Sequence, residues 1–205
     1  SRGRSTVKRA APDVAALFRP RLSALLVHPA LYSGIAGFAA MQFFAAAPTA
    51  YALPTGGEVT TGTATISQTN AQTLQINQTS QKAILNWQGF SIGGNETVNF
   101  LQPNASSVAL NRVLSNQPSE IFGRLTATGQ IFLVNPSGIF FSPSASVDVG
   151  GLVATTLNIK DADFMAGNYT FARDGAAGSV VNQGVINAPS GYAALIGPKV
   201  SNEGY

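Results

Sequence analysis

From Leu53 onward the apolar residues come in short runs separated by polar corners. The runs Thr73–Ile76, Ala83–Trp87, Thr97–Leu101, Ser107–Leu110, Gly129–Val134, Gly138–Phe141 and Ser146–Val149 are four to six residues long and rich in β-branched and aromatic side chains. That composition fits a pleated, half-buried strand. Corners recur every 8 to 12 residues, and all 14 asparagines and 18 of the 21 glycines follow Leu53. Asn and Gly turn a chain easily because they tolerate positive φ, and both are poor helix formers. No segment of this part holds a 3.6-residue apolar period over three turns, and Ala162–Gly167 has room for one helical turn at most. The pattern predicts an all-β fold.

A repeat separates a stacked solenoid from a sandwich. Asn182-Gln183-Gly184 returns as Asn202-Glu203-Gly204, a shift of 20 residues. A looser echo runs from Gly129-Gln130-Ile131 to Pro136-Ser137-Gly138 and again from Gly184-Val185-Ile186 to Pro189-Ser190-Gly191. A fixed period of strand, corner, strand is the signature of a parallel β-helix, whose rungs stack about 4.8 Å apart with apolar side chains turned inward. Phe132, Val134, Ile139 and Phe141 are expected to be buried against the neighbouring rung. Val200–Tyr205 stops where a further strand is expected, so the natural chain is expected to continue for more rungs.

Charge divides the chain. Residues 1–52 carry six basic side chains against Asp13, a net +5, whereas residues 53–205 carry six basic and eight acidic ones, a net −2. The basic balance therefore belongs to the first quarter, and no nucleic-acid footprint is expected on the rest. Between Leu22 and Ala47 no side chain is charged apart from His28, and Gly34–Ala47 is the cleanest apolar stretch. It leads to Ala50-Tyr51-Ala52, small residues at the two positions a signal peptidase reads. Residues 1–52 are thus expected to be a long basic signal peptide, cleaved between Ala52 and Leu53, that passes the chain to the inner-membrane secretion machinery. A membrane anchor is the competing reading of these 26 uncharged residues, but Pro29, Ser33, Gly34 and Gly37 interrupt it and a cleavage site follows it.

Catalytic chemistry is sparse. There is no cysteine, and the single histidine, His28, lies in the leader, which removes disulfides, thiolate zinc sites and Ser-His-Asp triads from the remainder. Asp161 and Asp163 are the only closely spaced acids after Leu53; with the other acids scattered and this pair in an expected loop, no catalytic role is expected of them. Trp87, in an alternating strand, reads as core. No metal or cofactor is expected.

The ordered set of motifs carries more. Residues 86–100 (NWQGFSIGGNETVNF), Gln102-Pro103-Asn104-Ala105, Val108–Val113 and Gly129–Val134 resemble the amino-terminal secretion domain of two-partner secretion exoproteins, the filamentous haemagglutinin and high-molecular-weight adhesin type. The resemblance continues through Val149–Ala154 and Ala162-Asp163-Phe164. Asn135-Pro136-Ser137-Gly138-Ile139 is similar to the family's Asn-Pro-Asn-Gly-Ile motif, with Ser137 in the third place; a second Asn-Pro-Asn-Leu motif found in some branches is absent. This resemblance implies a right-handed parallel β-helix with capping and extra-helical β-hairpin elements. It implies a non-enzymatic export signal, read in the periplasm of a Gram-negative bacterium by the POTRA domains of a dedicated outer-membrane β-barrel transporter. Residues 135–139 are then candidates for transporter recognition or for nucleating the fold. The downstream chain, secreted or displayed on the cell surface, would meet a host or bacterial surface ligand. A secreted carbohydrate-active β-helix, lyase or lectin, is the alternative, and would need a groove of acids or aromatics.

Overall fold

The computed structural model describes residues 53–189 and 191–205. The leader, including Ala50 and Ala52, lies outside the described residues. Sixteen strands and one short helix follow. The chain opens with β1 (Glu58–Thr61) and β2 (Ala64–Asn70), and then winds through five turns that visit three sheets in a constant order. Turn one holds β3 (Thr73–Gln78) and β4 (Lys82–Trp87), and touches the third sheet only through a bridge from Ile92 to Ile121. Turn two is β5 (Thr97–Leu101), β6 (Val108–Val113) and β7 (Ser119–Ile121). Turn three is β8 (Arg124–Ala127), β9 (Gln130–Val134) and β10 (Ile139–Phe141). Turn four is β11 (Ser146–Asp148), β12 (Gly151–Thr155), a long excursion containing α1 (Asp161–Ala166), and β13 (Ser179–Asn182). Turn five is β14 (Val185–Asn187), β15 (Ala193–Ile196) and β16 (Lys199–Asn202).

Strands of successive turns pair in parallel, which makes the fold a parallel β-helix. Only the start departs: β2 pairs antiparallel with β3, and β1 antiparallel with β4, so a reversed strand caps each of two sheets. The interior is one apolar column, with Leu85, Trp87, Phe100, Ile121, Leu133, Ile139 and Phe141 fully or almost fully buried. Burying each such side chain is worth about 1.5–3 kcal/mol, and the corners let each turn reach the next. Gly129, Gly150 and Gly191 stack at one corner, where a side chain would strike the backbone of the turn before.

The Asn182/Asn202 repeat is a true rung repeat. β13 and β16 are paired with these residues in register, and Asn182 Nδ2 donates to Asn202 Oδ1 at 2.8 Å. The looser echo is not. Gln130 lies on β9 and pairs with Gly151, whereas Val185 lies on β14 and pairs with Ser146, in a different sheet. A turn-rich chain repeats its corner composition at every corner, whichever sheets that corner joins. The 20-residue period also holds on one sheet only, from Ser119 to Ile139 and from Val180 to Val200. From Ile139 to Val180 the step is 41 residues, because the excursion is inserted there. α1 is six residues long, more than the single turn expected, and Asp161 and Asp163 occupy its first turn and not a loop.

Candidate functional site

The corner at residues 135–138 joins β9 to β10. The sequence favours a type I turn, with Asn first, Pro second with its φ preset, and Gly fourth. The backbone closes accordingly, Gly138 N donating to Asn135 O at 3.1 Å. Gly138 has φ of 123°, a conformation that side chains resist. Asn135 is fully buried. Its Nδ2 donates to Gln117 O and to Ser119 Oγ, both at 3.0 Å, and its Oδ1 accepts from Ser137 N at 3.0 Å. The backbone adds links in the other direction, since Asn135 N donates to Thr155 O and Gly178 N donates to Pro136 O. One corner thus ties turns two, three and four together. Gly178 lies flat on it, and a Cβ there would sit 2.5 Å from Gly138 N and Ser137 C. Pro136 and Ser137 are half-buried, and Ile139 is fully buried in the core.

Leu53, the residue after the expected cleavage point, is nearly buried and packs into the core column.

The excursion makes a second cluster that the strand pattern did not announce. Ile84, Leu110, Phe132 and Val153 face outward from the first sheet (β1, β4, β6, β9, β12, β15), in register across four strands. Phe164 of α1 and Ile159 cover them, and the Phe132 ring meets Phe164, Tyr169 and Phe171 at centroid distances of 5.8, 4.8 and 6.1 Å. The neck of the excursion is an antiparallel bridge between Asn158 and Ala172, a hairpin-like element outside the helix proper. Two cations of the solenoid hold it. Lys82 Nζ donates to Phe164 O and Met165 O, at 3.1 and 2.9 Å, and stands 5.7 Å from the centroid of the Tyr169 ring. Carbonyls at a helix end and an aromatic face both attract an ammonium. Arg112 donates to Ile159 O and pairs with Asp161 Oδ1, both at 2.7 Å. These two residues were missed in the sequence; the available signal was that β4, β6 and β9 are apolar at both parities, so that something must cover their outer side.

Trp87 is core, as expected, and donates its Nε1 to the buried Asn111 Oδ1 at 3.0 Å. Asp161 is engaged by Arg112. Among the described residues no group of three or more His, Cys, Asp or Glu could hold a metal ion. A shallow cleft on the excursion is lined by Lys160, Asp163, Arg173 and Asp174, which converge on no common point of chemistry.

A capped parallel β-helix whose motif residues bond within their own corner defines a solenoid module that offers no catalytic constellation among the described residues. The family model described as the TPS secretion domain matches residues 50–205, and the chain belongs to that family. It is 39% identical over 163 residues to the heme/hemopexin-binding protein of Haemophilus influenzae, covering 74% of this chain and 18% of that protein. It is 37% identical over 103 residues to the tRNA nuclease CdiA-2 of Burkholderia pseudomallei, covering 48% of this chain and 3% of that protein. Among solved structures, the HMW1 secretion domain of Haemophilus influenzae superposes with a TM-score of 0.68 at 40% identity, covering 74% of this chain and 41% of that one. The chain spans less than a fifth of the length of the curated relatives it matches. It is a secretion domain of the kind that adhesin- and haemagglutinin-like exoproteins carry, a class secreted or surface-exposed in Gram-negative bacteria with the help of a partner outer-membrane transporter.

Proposed function

We propose that residues 53–205 are recognised in the periplasm, while still extended, by the POTRA domains of an outer-membrane transporter. The domain then folds outside the cell as the first segment of a longer β-helix. Signal peptidase removes residues 1–52 beforehand, cutting between Ala52 and Leu53. The domain performs no catalysis; adhesion, capture or toxicity belongs to the chain that follows it.

The observation that carries this reading is the burial of the motif. In the folded domain Asn135 is spent on its own corner, so a partner has little of it to read once the turn has closed. Residues 135–139 act as a folding lock, and recognition takes place before it closes. The relatives support the division of labour, since one is named for binding heme and hemopexin and another for cutting tRNA. A module shared by both serves delivery and not a ligand. An extended chain of short β-prone segments suits strand addition to a sheet edge, with backbone hydrogen bonds giving affinity and alternate side chains giving selectivity.

The test is export of the chain from cells with and without the cognate transporter, with the amino terminus of the released fragment sequenced. Transporter-dependent release of a fragment starting at Leu53 is the expected result. Retention in both strains overturns the claim that this region suffices as an export signal, and equal release in both removes the transporter from the pathway.

A further inference from the structure

A strand at the edge of a sheet offers a row of unpaired N–H and C=O groups to any strand that meets it. Soluble proteins guard such rows with charge, proline, bulges or brevity. The amino end of this solenoid has three sheet edges. On the first sheet the edge is β1, four residues long, opened by Glu58 and irregular between Val59 and Thr61. On the sheet of β7, β10, β13 and β16 the edge strand β7 has three residues and is met by the bridge from Ile92. On the remaining sheet the edge is β2, seven residues long, paired with β3 on one side and with no strand on the other among the described residues. Residues 59–81, which hold β2, β3 and their turn, contain no charged side chain and no proline. The one irregularity of β2 falls between Gln68 and Asn70, and leaves Ala64–Gln68 as a regular strand. Of the three edges this one is long and unguarded.

Its side chains are spaced for pairing with themselves. Thr65 and Ser67 are exposed and lie opposite Asn77 and Gln75, whereas Ile66 lies opposite the buried Ile76 and is itself only half-buried. In an antiparallel pair built on a two-fold axis at Ile66, Thr65 stands opposite the second copy's Ser67, and Ala64 opposite its Gln68. Hydroxyl side chains set across from one another form a favourable cross-strand pair. Ile66 meets its own counterpart and loses the exposure that β2 leaves it. No like charges meet, because neither edge carries any.

We propose that β2 is a self-association edge: two copies of the folded chain pair antiparallel through Ala64–Gln68, about a two-fold axis at Ile66. Two six-stranded sheets become one continuous sheet, and the copies are tied amino end to amino end, with their last turns facing away from the junction. Each copy uses the same patch, so the assembly closes at two.

The chain has no cysteine, so a thiol placed on β2 reports position without interference. Copies carrying Thr65→Cys are mixed with copies carrying Ser67→Cys under mild oxidation. Directly opposed residues of an antiparallel pair lie about 4.5–5.5 Å apart between Cα atoms, within reach of a disulfide. Each residue and its own counterpart lie about 7–8 Å apart, outside that reach. The mixture is expected to cross-link about tenfold faster than either variant alone, because pairing holds the two thiols at a high effective concentration. In analytical ultracentrifugation the parental 205-residue chain is expected to dimerise weakly, as suits a small interface. Thr65→Lys with Ser67→Lys sets ammonium groups against one another and is expected to raise the dissociation constant at least about tenfold. Both side chains are exposed, so β2 stays on β3, and the cysteine experiment reports even if the lysine variant does not fold. Equal cross-linking in the mixture and in the single variants overturns the proposal. So does a parental chain that sediments as a monomer up to about 1 mM, or an association that the folded lysine variant keeps, since it then arises from another surface.

Discussion

Replacing Asn135 by alanine tests whether the motif corner is a lock. The side chain makes three hydrogen bonds, two donated to Gln117 O and Ser119 Oγ and one accepted from Ser137 N. Each is worth about 1 kcal/mol net, and leaving a buried partner unsatisfied adds about 1–3 kcal/mol. Ser119 is fully buried and loses a partner, whereas Gln117 is exposed and regains water. The expected loss is therefore about 3 kcal/mol, a large share of the roughly 5–15 kcal/mol that holds an ordinary domain folded. In urea denaturation followed by circular dichroism the midpoint falls while the slope stays constant, because the surface exposed on unfolding is unchanged. Asn135→Asp sharpens the test. The carboxylate still accepts from Ser137 N, but it places a buried charge against Gln117 O. Burial raises its folded-state pKa above the unfolded value. A carboxyl shifted upward favours the fold below its unfolded pKa and loses that contribution as pH rises through the folded one. The Asp variant should thus be less stable than the Ala variant at pH 7 and recover relative to it toward pH 4. A change below about 0.5 kcal/mol for Asn135→Ala, the size of a neutral surface substitution, would refute the lock.

Three further outcomes follow from the geometry. Gly178→Ala drives a Cβ to 2.5 Å from the backbone of Ser137 and Gly138; the corner cannot yield as a flexible side chain would, and a loss of about 1–3 kcal/mol is expected in the same urea assay. Trp87→Phe keeps a buried ring but strands Asn111 Oδ1 in the core, costing about 1–3 kcal/mol and checked by thermal melting against Trp87→Phe with Asn111→Val, which should recover part of the loss. Burial raises the Glu120 carboxyl above its usual range. Its contribution to stability is present at low pH and lost as pH rises through the folded-state pKa, so Glu120→Gln should flatten that pH dependence and show its gain at neutral pH.

The sequence read the solenoid through its punctuation. Every one of the seven runs named from apolar pattern overlaps a strand, four of them starting or ending one residue outside it, and the Asn182/Asn202 repeat lands in register. Side chains that stack directly on the turn below must match it, so identity at a fixed spacing survives there. The corner at 135–138 was legible for the same local reason, since Asn, Pro and Gly each have a preferred place in a turn. Three features were not legible. The antiparallel caps β1 and β2 look like any other strands, because alternation does not encode direction. The echo between residues 129 and 184 misled because corners share a composition whether or not they stack. The clasp was hidden because Ile84, Leu110 and Phe132 show only that the outer side is covered; that Phe164 covers it, held by Lys82 and Arg112, is a long-range fact that no local window contains.

That clasp also changes how the domain carries force. A bare β-helix pulled from its last turn peels, since each turn is held only by the one beneath it, and the load falls on one row of hydrogen bonds at a time. Turn five is attached mainly in this way, with Tyr192 Oη donating to Gln130 Oε1 of turn three at 3.3 Å and Ala194 and Ile196 resting against the outer apolar cluster. Turn four is different, because its excursion reaches back to Lys82 on turn one and Arg112 on turn two. Tension arriving there is shared in shear across the first four turns, which resist as a single block. Under load this places the weakest joint after the fourth turn, with the four turns before it held as one block.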